Sequence, residues 1–180
     1  KSYDSYLKYK FLSQSSDFAK KPVTMVLFSN IAVNTLKSNF ANYPTSARLS
    51  YTNQILVSSK LNDVISVQFS PTWVHWNMVQ NENQNNDIFL IGSMLSLSFT
   101  KSTSINFEYF NRINTNNFDD QNYQNSFSLG LDIETGGHVF QLHITNSMNL
   151  NEASFLTRSE GDWKKGNINF GFNISREFSL

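Results

Sequence analysis

The chain has 180 residues, which is enough for one domain with a sizeable core. Its 14 basic residues balance its 14 acidic residues, which excludes a net charge that would attract nucleic acid or an acidic membrane surface. The absence of cysteine excludes thiolate metal sites, cysteine nucleophiles and disulfide bonds.

Apolar and polar side chains alternate along almost the whole chain, which is the period of a β-strand. No segment has a convincing helical period, and no apolar run approaches the roughly 18 residues of a membrane-spanning helix. We therefore predict an all-β protein with strands at 5–13, 22–35, 46–59, 64–77, 87–100, 103–113, 125–134, 138–147 and 166–178.

The fourth predicted strand, "VISVQFSPTWVHW", has one apolar face and one polar face. Pro71 falls on the apolar face and removes a hydrogen-bond donor from the ladder, so we expect a β-bulge there. His75 lies between Trp73 and Trp76, a grouping typical of the aromatic belt at a membrane–water interface.

The segment "NSFSLGLDIETGGHVFQLHITNS" changes the parity of its apolar residues at its centre. An antiparallel hairpin with an even-length turn requires such a change. Pairing Leu131 with Phe140 centres a two-residue turn on Thr135 and Gly136, and the glycine permits a positive φ. In the last strand, "GNINFGFNIS", Arg176 follows on the apolar side, where a position near the rim lets its side chain snorkel.

The connections alternate between tight turns, near 61–63, 101–103 and 135–137, and longer polar segments, the last of them at 148–163. Short turns at one rim and long loops at the other are typical of outer-membrane barrels. The polar faces consist largely of amides and hydroxyls rather than charges, which favours a barrel interior over a water-exposed surface. The pattern predicts an antiparallel up-and-down transmembrane β-barrel in the bacterial outer membrane, with its apolar side chains against the lipids.

Single-chain bacterial barrels normally have an even number of strands, whereas nine are visible here. We therefore expect residues 1–180 to form a single β-barrel domain that lacks amino-terminal strands, with ten to twelve strands in the complete protein. These 180 residues would then be its carboxyl-terminal portion.

Charged side chains on the polar faces would converge inside a closed barrel, where mutual pairing offsets the cost of burial. This predicted lumen network consists of Lys8, Lys10, Arg48, Glu108, Arg112, Asp132, Glu134 and His143. A structural network that fills the lumen is a more economical interpretation than a selective pore, because so few strands leave little free width.

Aromatic residues near the predicted strand ends indicate girdles at the two membrane interfaces rather than a ligand-stacking set. The predicted interface aromatics are Trp73, Trp76, Tyr109 and Trp163. The three histidines do not suggest a metal site or a catalytic triad, since His138 and His143 face opposite ways and no lipid-facing histidine–serine pair is visible. We expect no enzymatic activity and no cofactor.

Seven segments resemble successive parts of a Bacteroidetes family of outer-membrane β-barrels of unassigned function. They are "YLKYKFL", "PVTMVLFSNIAVNT", "RLSYTNQILVSSKLND", "SPTWVHWNMV", "STSINFEYF", "ETGGHVFQLHITNS" and "GNINFGFNISREF". The resemblance covers nearly the whole chain and implies about three further amino-terminal strands, for a barrel of about twelve. It implies no catalytic or binding residues.

Three functions are compatible with this sequence. The first is a structural or accessory subunit of an envelope complex, with other outer-membrane or periplasmic proteins as partners. The second is a narrow outer-membrane channel for small solutes. The third is a soluble, lipocalin-like barrel whose apolar face lines a ligand cavity.

Overall fold

The computed structural model describes residues 2–36, 44–79, 84–113 and 123–176. They form a single sheet of nine strands in chain order, each antiparallel to the next, and the sheet curls into a half-barrel. The strands are β1 (Ser2–Leu12), β2 (Thr24–Asn34), β3 (Leu49–Lys60), β4 (Ile65–Trp76), β5 (Asp87–Thr100), β6 (Thr103–Arg112), β7 (Phe127–Thr135), β8 (His138–Thr145) and β9 (Asn169–Arg176). The predicted all-β antiparallel fold and its nine strands are confirmed.

The connections separate by length onto the two ends of the sheet. At the tight-turn end, residues 61–64, 101–102 and 136–137 join consecutive strands, together with the intermediate connection 13–23. At the long-loop end, the connections are 35–48, 77–86, 113–126 and 146–168. The predicted alternation of tight turns and long loops along the chain is therefore present.

The two faces of the sheet have the opposite polarity to those of a water-soluble barrel. On the concave face, polar side chains such as Thr52 and Ser70 are buried, with 0% and 2% of their surfaces exposed. On the convex face, large apolar side chains such as Phe69, Phe107 and Phe172 are exposed, the last to 70%. A lipocalin-like barrel would bury these apolar side chains instead, so this arrangement supports the membrane interpretation.

The β7–β8 hairpin has the expected even-length turn, but the predicted register is wrong by one step of the ladder. Leu131 pairs with Leu142, and Thr135 pairs with His138, which places the turn at Gly136 and Gly137. Both glycines have positive φ, 52° and 97°. A two-residue turn with positive φ at both positions suits a glycine pair better than a threonine followed by glycine, because threonine is β-branched.

The bulge predicted at Pro71 is absent, since the pairs on either side of it keep one register. β3 pairs with β4 at Gln54–Thr72 and again at Val57–Phe69, and the two positions between them do not pair. On its other side, Pro71 pairs in register with Ile91 of β5. Because proline lacks an N–H, hydrogen bonds between β3 and β4 are missing at these positions, but neither strand contains an extra residue.

One long connection contains the helix that the sequence did not predict, α1 (Glu152–Thr157). Short 3₁₀ helices lie at Thr45–Arg48 and Trp163–Lys165. Within the described ranges, no helix has the length and hydropathy needed to cross a membrane.

Candidate functional site: a plug on the concave face

The connection between β8 and β9, residues 146–168, folds back onto the concave face, and we call it the plug. Its two ends are held together by Asn146, whose side-chain Nδ2 donates to the carbonyl oxygens of Asn125 at 2.9 Å and Gly161 at 3.0 Å. The Gly161 N–H donates in turn to the Asn146 carbonyl. A Cβ atom at Gly161 would lie 2.4 Å from the carbonyl oxygens of both Asn146 and Asn167, so the crossing requires glycine.

Helix α1 forms the buried part of the plug. Its N-terminal cap is Asn151, whose side-chain oxygen accepts a hydrogen bond from the Ser154 N–H at 2.9 Å. Ala153 and Leu156, three residues apart, lie on one face of the helix and are fully buried. The helix lies between β8 and β9 in sequence but contacts β3 and β4, so the plug crosses the concave face.

The plug packs on an apolar patch of a face that is otherwise polar. Ala153 and Leu156 form a cluster with four buried side chains of β4, β5 and β6, namely Val74, Ile88, Leu90 and Phe110. Burying one leucine stabilises a fold by about 1.5–3 kcal/mol relative to leaving it exposed. The part of the concave face under α1 is therefore a packed apolar core.

Trp76 forms the edge of this core, and its predicted place in the interface belt is wrong. Its indole Nε1 donates to Thr157 Oγ1 at 3.2 Å, and the Arg158 guanidinium lies over its ring. Trp76 pairs with Ser50 of β3, a buried residue of the concave face. Side chains three residues apart on a strand point to opposite faces, so Trp76 and Trp73 cannot share the belt.

A polar cavity of about 310 Å³ lies on the concave face below the plug, with Phe155 among its lining residues. It brings together three of the predicted lumen residues, Glu108, Asp132 and His143. Gln141 Nε2 donates to Asp132 Oδ2 at 3.2 Å, and Asn173 Nδ2 donates to Gln141 Oε1 at 3.0 Å. This chain of hydrogen bonds links β7, β8 and β9.

His143 occupies its position in this cavity because the facing residue of β9 has no side chain. A Cβ atom at Gly171 would lie 2.3 Å from His143 Nε2. The other predicted histidine positions also differ in environment: His138 begins β8 beside the turn, and His75 lies on the convex face. Within the described ranges, no three histidine or acidic residues are grouped so that they could hold a metal ion.

The remaining predicted lumen residues are dispersed. Lys8 and Lys10 lie on β1, where the Lys8 ammonium sits 5.6 Å from the Tyr6 ring centroid and 5.5 Å from that of Phe28. Arg112 is buried, and its guanidinium donates to the carbonyls of Tyr123 and Gln124. Arg48 donates to the carbonyls of Asn34 and Leu36, and Glu134 is exposed near the end of β7. A single ion-pair network of all eight residues stays a prediction.

Glu152 of the plug is an acidic residue that the sequence alone did not single out. Burial raises the pKa of this carboxyl, the Lys8 ammonium opposes the rise, and the Asp4 carboxylate adds to it. Both of those residues lie on β1. The electrostatic influence of the plug therefore extends to the opposite edge of the half-barrel.

The other predicted interface aromatics lie at the long-loop end. Trp73 and Tyr109 are exposed on the convex face, and the Trp163 ring packs edge-on against Phe127 at 5.0 Å between centroids. The Trp73 indole donates to Asp87 Oδ1 at 2.7 Å, and His75 Nδ1 lies 2.8 Å from the same oxygen. This cluster gives the convex face a polar site at the end of β4.

One family model matches almost the whole chain, residues 1–178, and its description is "Membrane bound beta barrel domain (DUF5777)". No curated protein and no solved structure matches the chain. The description agrees with the polarity of the two faces, because a sheet with phenylalanines on its convex side suits hydrocarbon.

Proposed function

Since the chain belongs to the family of membrane-bound β-barrel domains, we propose that it is an integral outer-membrane barrel without enzymatic activity. In this proposal it serves as a structural or accessory subunit of an envelope complex. The membrane location follows from the family and from the exposed apolar convex face. The outer membrane is favoured because closed sheets that expose an apolar band to lipid are the spanning form of that membrane.

The observation that carries the structural role is the packed plug. A channel needs a continuous aqueous path, whereas α1 and the wall residues beneath it exclude water at the long-loop end. A filled lumen adds rigidity without conduction, which suits a scaffold that presents its long loops or its rim to partner proteins.

The alternative function, a narrow channel for small solutes, is favoured by the polar cavity below the plug. That cavity would form one part of a conducting path if the plug moved away from the wall. Glu108, on the wall of the cavity, would then contribute to ion selectivity.

Recordings in planar lipid bilayers separate the two functions. We expect the purified native protein to be silent and a Leu156→Asp variant, which places a carboxylate in the buried cluster, to conduct. Leu150→Asp is the matched control, because Leu150 belongs to the same plug but is 99% exposed. Conductance of the unaltered protein, with an ion selectivity that Glu108→Gln changes, would contradict the scaffold and support the channel.

The accessory role and the location are tested by fractionation and affinity purification of the native protein. We expect it to sediment with outer-membrane markers, to require detergent for extraction and to co-purify with partner proteins in a fixed ratio. Extraction into detergent-free buffer would contradict the membrane location and support the soluble barrel. A protein that purifies alone after mild chemical cross-linking would contradict the accessory role.

A further inference from the structure

A trough of about 750 Å³ lies on the convex face, where it runs across β1 to β5. It is almost entirely apolar. Most of its convex-face lining lies in two neighbouring rows across the strands. The first is Leu7–Ser29–Asn53–Trp73–Phe89, and the second is Tyr9–Leu27–Ile55 followed by Pro71–Ile91, with the β3–β4 ladder open between Ile55 and Pro71.

The trough exists because small or compact side chains stand where the rest of this face carries large ones. Ser29 and Asn53 occupy the middle of the first row, and Pro71 lies in the second, where the β3–β4 ladder opens. Ser29 Oγ donates to Asn53 Oδ1 at 2.8 Å, so the hydroxyl is satisfied within the protein. Phe69, Trp73 and Phe89 rise on the sides.

The dimensions of the trough suit a single extended chain. Four inter-strand spacings of about 4.8 Å give it a length of roughly 19 Å. Phe69 and Trp73 on its two sides are four residues apart, or roughly 13 Å between Cα atoms, and their rings occupy part of that width, whereas a helix with its side chains is about 10–12 Å across. A helix from a partner protein is therefore too wide for the trough.

A polar site lies beside the trough, because His75 and Asp87 form the next pair beyond Trp73 and Phe89. Trp73, which lines the trough, donates to Asp87, and the same carboxylate contacts His75. About half of the Asp87 side chain is exposed, so this carboxylate can accept hydrogen bonds from a headgroup. An apolar trough with a hydrogen-bonding carboxylate beside it matches the two parts of an amphiphile.

We propose that this trough is a specific binding site for one membrane lipid, with an acyl chain between the two rows and the headgroup beside Asp87. The inference rests on the membrane location in the proposed function, but not on the scaffold or channel role. It differs from ordinary contact with the bilayer because the bound lipid would survive detergent exchange, whereas the lipids around an unbroken apolar face exchange freely.

Native mass spectrometry of the detergent-purified native protein tests the site. We expect one lipid to remain bound after repeated detergent exchange. Asn53→Phe fills the trough and should lower the retained fraction roughly tenfold. Asn111→Phe is the matched control, since Asn111 is an exposed asparagine of β6 outside the trough.

Asn53→Phe also removes the hydrogen bond between Ser29 and Asn53, so a second pair of variants controls for that loss. Ile55→Trp fills the same trough without removing a polar group, and Ile105→Trp on β6 is its control. A difference in gel mobility between unheated and heated samples verifies that each variant is folded.

The proposal is overturned if the native protein retains no lipid, or if the filled and control variants retain equal amounts. It is also overturned if a co-purifying protein, and no lipid, is displaced by the filled variants. Release of the protein without detergent would instead contradict the membrane location, so the two failures are distinguishable.

Discussion

The Arg158 guanidinium carbon lies 3.6 Å from the ring centroid of Trp76. The cation belongs to the plug and the ring to the wall, so this contact fastens one to the other. Cation–π contacts stabilise by about 0.5–2 kcal/mol, depending on exposure.

We expect Arg158→Ala to loosen the plug without altering the barrel wall. Hydrogen exchange should increase within residues 146–168 and stay constant in β6 and β7. Lys164→Ala is the control, because Lys164 is an exposed cation of the same plug. Equal exchange in the two variants would show that the contact with Trp76 contributes nothing.

Leu156 and Leu150 belong to one segment but differ in exposure from 0% to 99%. Leu156→Ala should lower the free energy of unfolding of the plug by about 2–5 kcal/mol, because it leaves a cavity in the buried cluster. Leu150→Ala should change it by less than about 0.5 kcal/mol. Limited proteolysis of the plug as a function of denaturant measures both changes, and similar values would contradict the packed core.

Glu152 predicts a pH dependence of plug stability. Burial raises its folded-state pKa above the ordinary value of 4.5, so the folded protein binds more protons than the unfolded one between those two values. Stability therefore falls as pH rises through this window and stays reduced above it. Glu152→Gln should raise the melting temperature at neutral pH and lose this advantage well below 4.5.

Glu160→Gln is the control for that effect, since Glu160 is an exposed carboxylate of the same plug. An equal pH dependence in the unaltered protein and in Glu152→Gln would contradict the assignment to Glu152.

The β7–β8 turn predicts different tolerances at two adjacent glycines. Gly136 has φ 52°, a conformation that asparagine adopts readily, so Gly136→Asn should fold with almost unchanged efficiency. Gly137 has φ 97°, where a β-branched side chain is strained, so Gly137→Val should lower stability by about 1–2 kcal/mol. Refolding yield into detergent micelles, compared across denaturant concentrations, separates the two.

Neighbouring residues of β6 test the orientation of the sheet. Phe107 is exposed on the convex face, and Asn106 lines the concave cavity. Lysine on the lipid side costs about 2–4 kcal/mol near the bilayer midplane, whereas a lumen position tolerates charge. Phe107→Lys should therefore reduce folding in lipid vesicles far more than Asn106→Lys, and the reverse order would contradict the orientation.

The strands and their faces could be predicted because a period of two runs through most of the sheet. The hairpin register could not, because the sequence offers three consecutive turn candidates, Thr135, Gly136 and Gly137, and the choice depends on which pair adopts positive φ. Trp76 could have been placed correctly, since its separation of three from Trp73 already puts the two rings on opposite faces.

The plug escaped prediction because α1 has only six residues, too few for a helical period to stand out. Two signals were nevertheless present. Asn151 precedes "EASFLT" as a helix cap, and the apolar residues Val74, Ile88, Leu90 and Phe110 interrupt the polar face of three strands. An apolar patch inside a polar lumen indicates that another part of the chain covers it.

The antiparallel order of nine strands has a geometric consequence for the seam of the barrel. β1 and β9 are separated by an even number of reversals, so they point in the same direction. If the two met directly, their hydrogen bonds would form a parallel ladder, with slanted bonds in place of the perpendicular ones found elsewhere in the sheet. An all-antiparallel ring around this half-barrel requires an odd number of additional strands between its two edges.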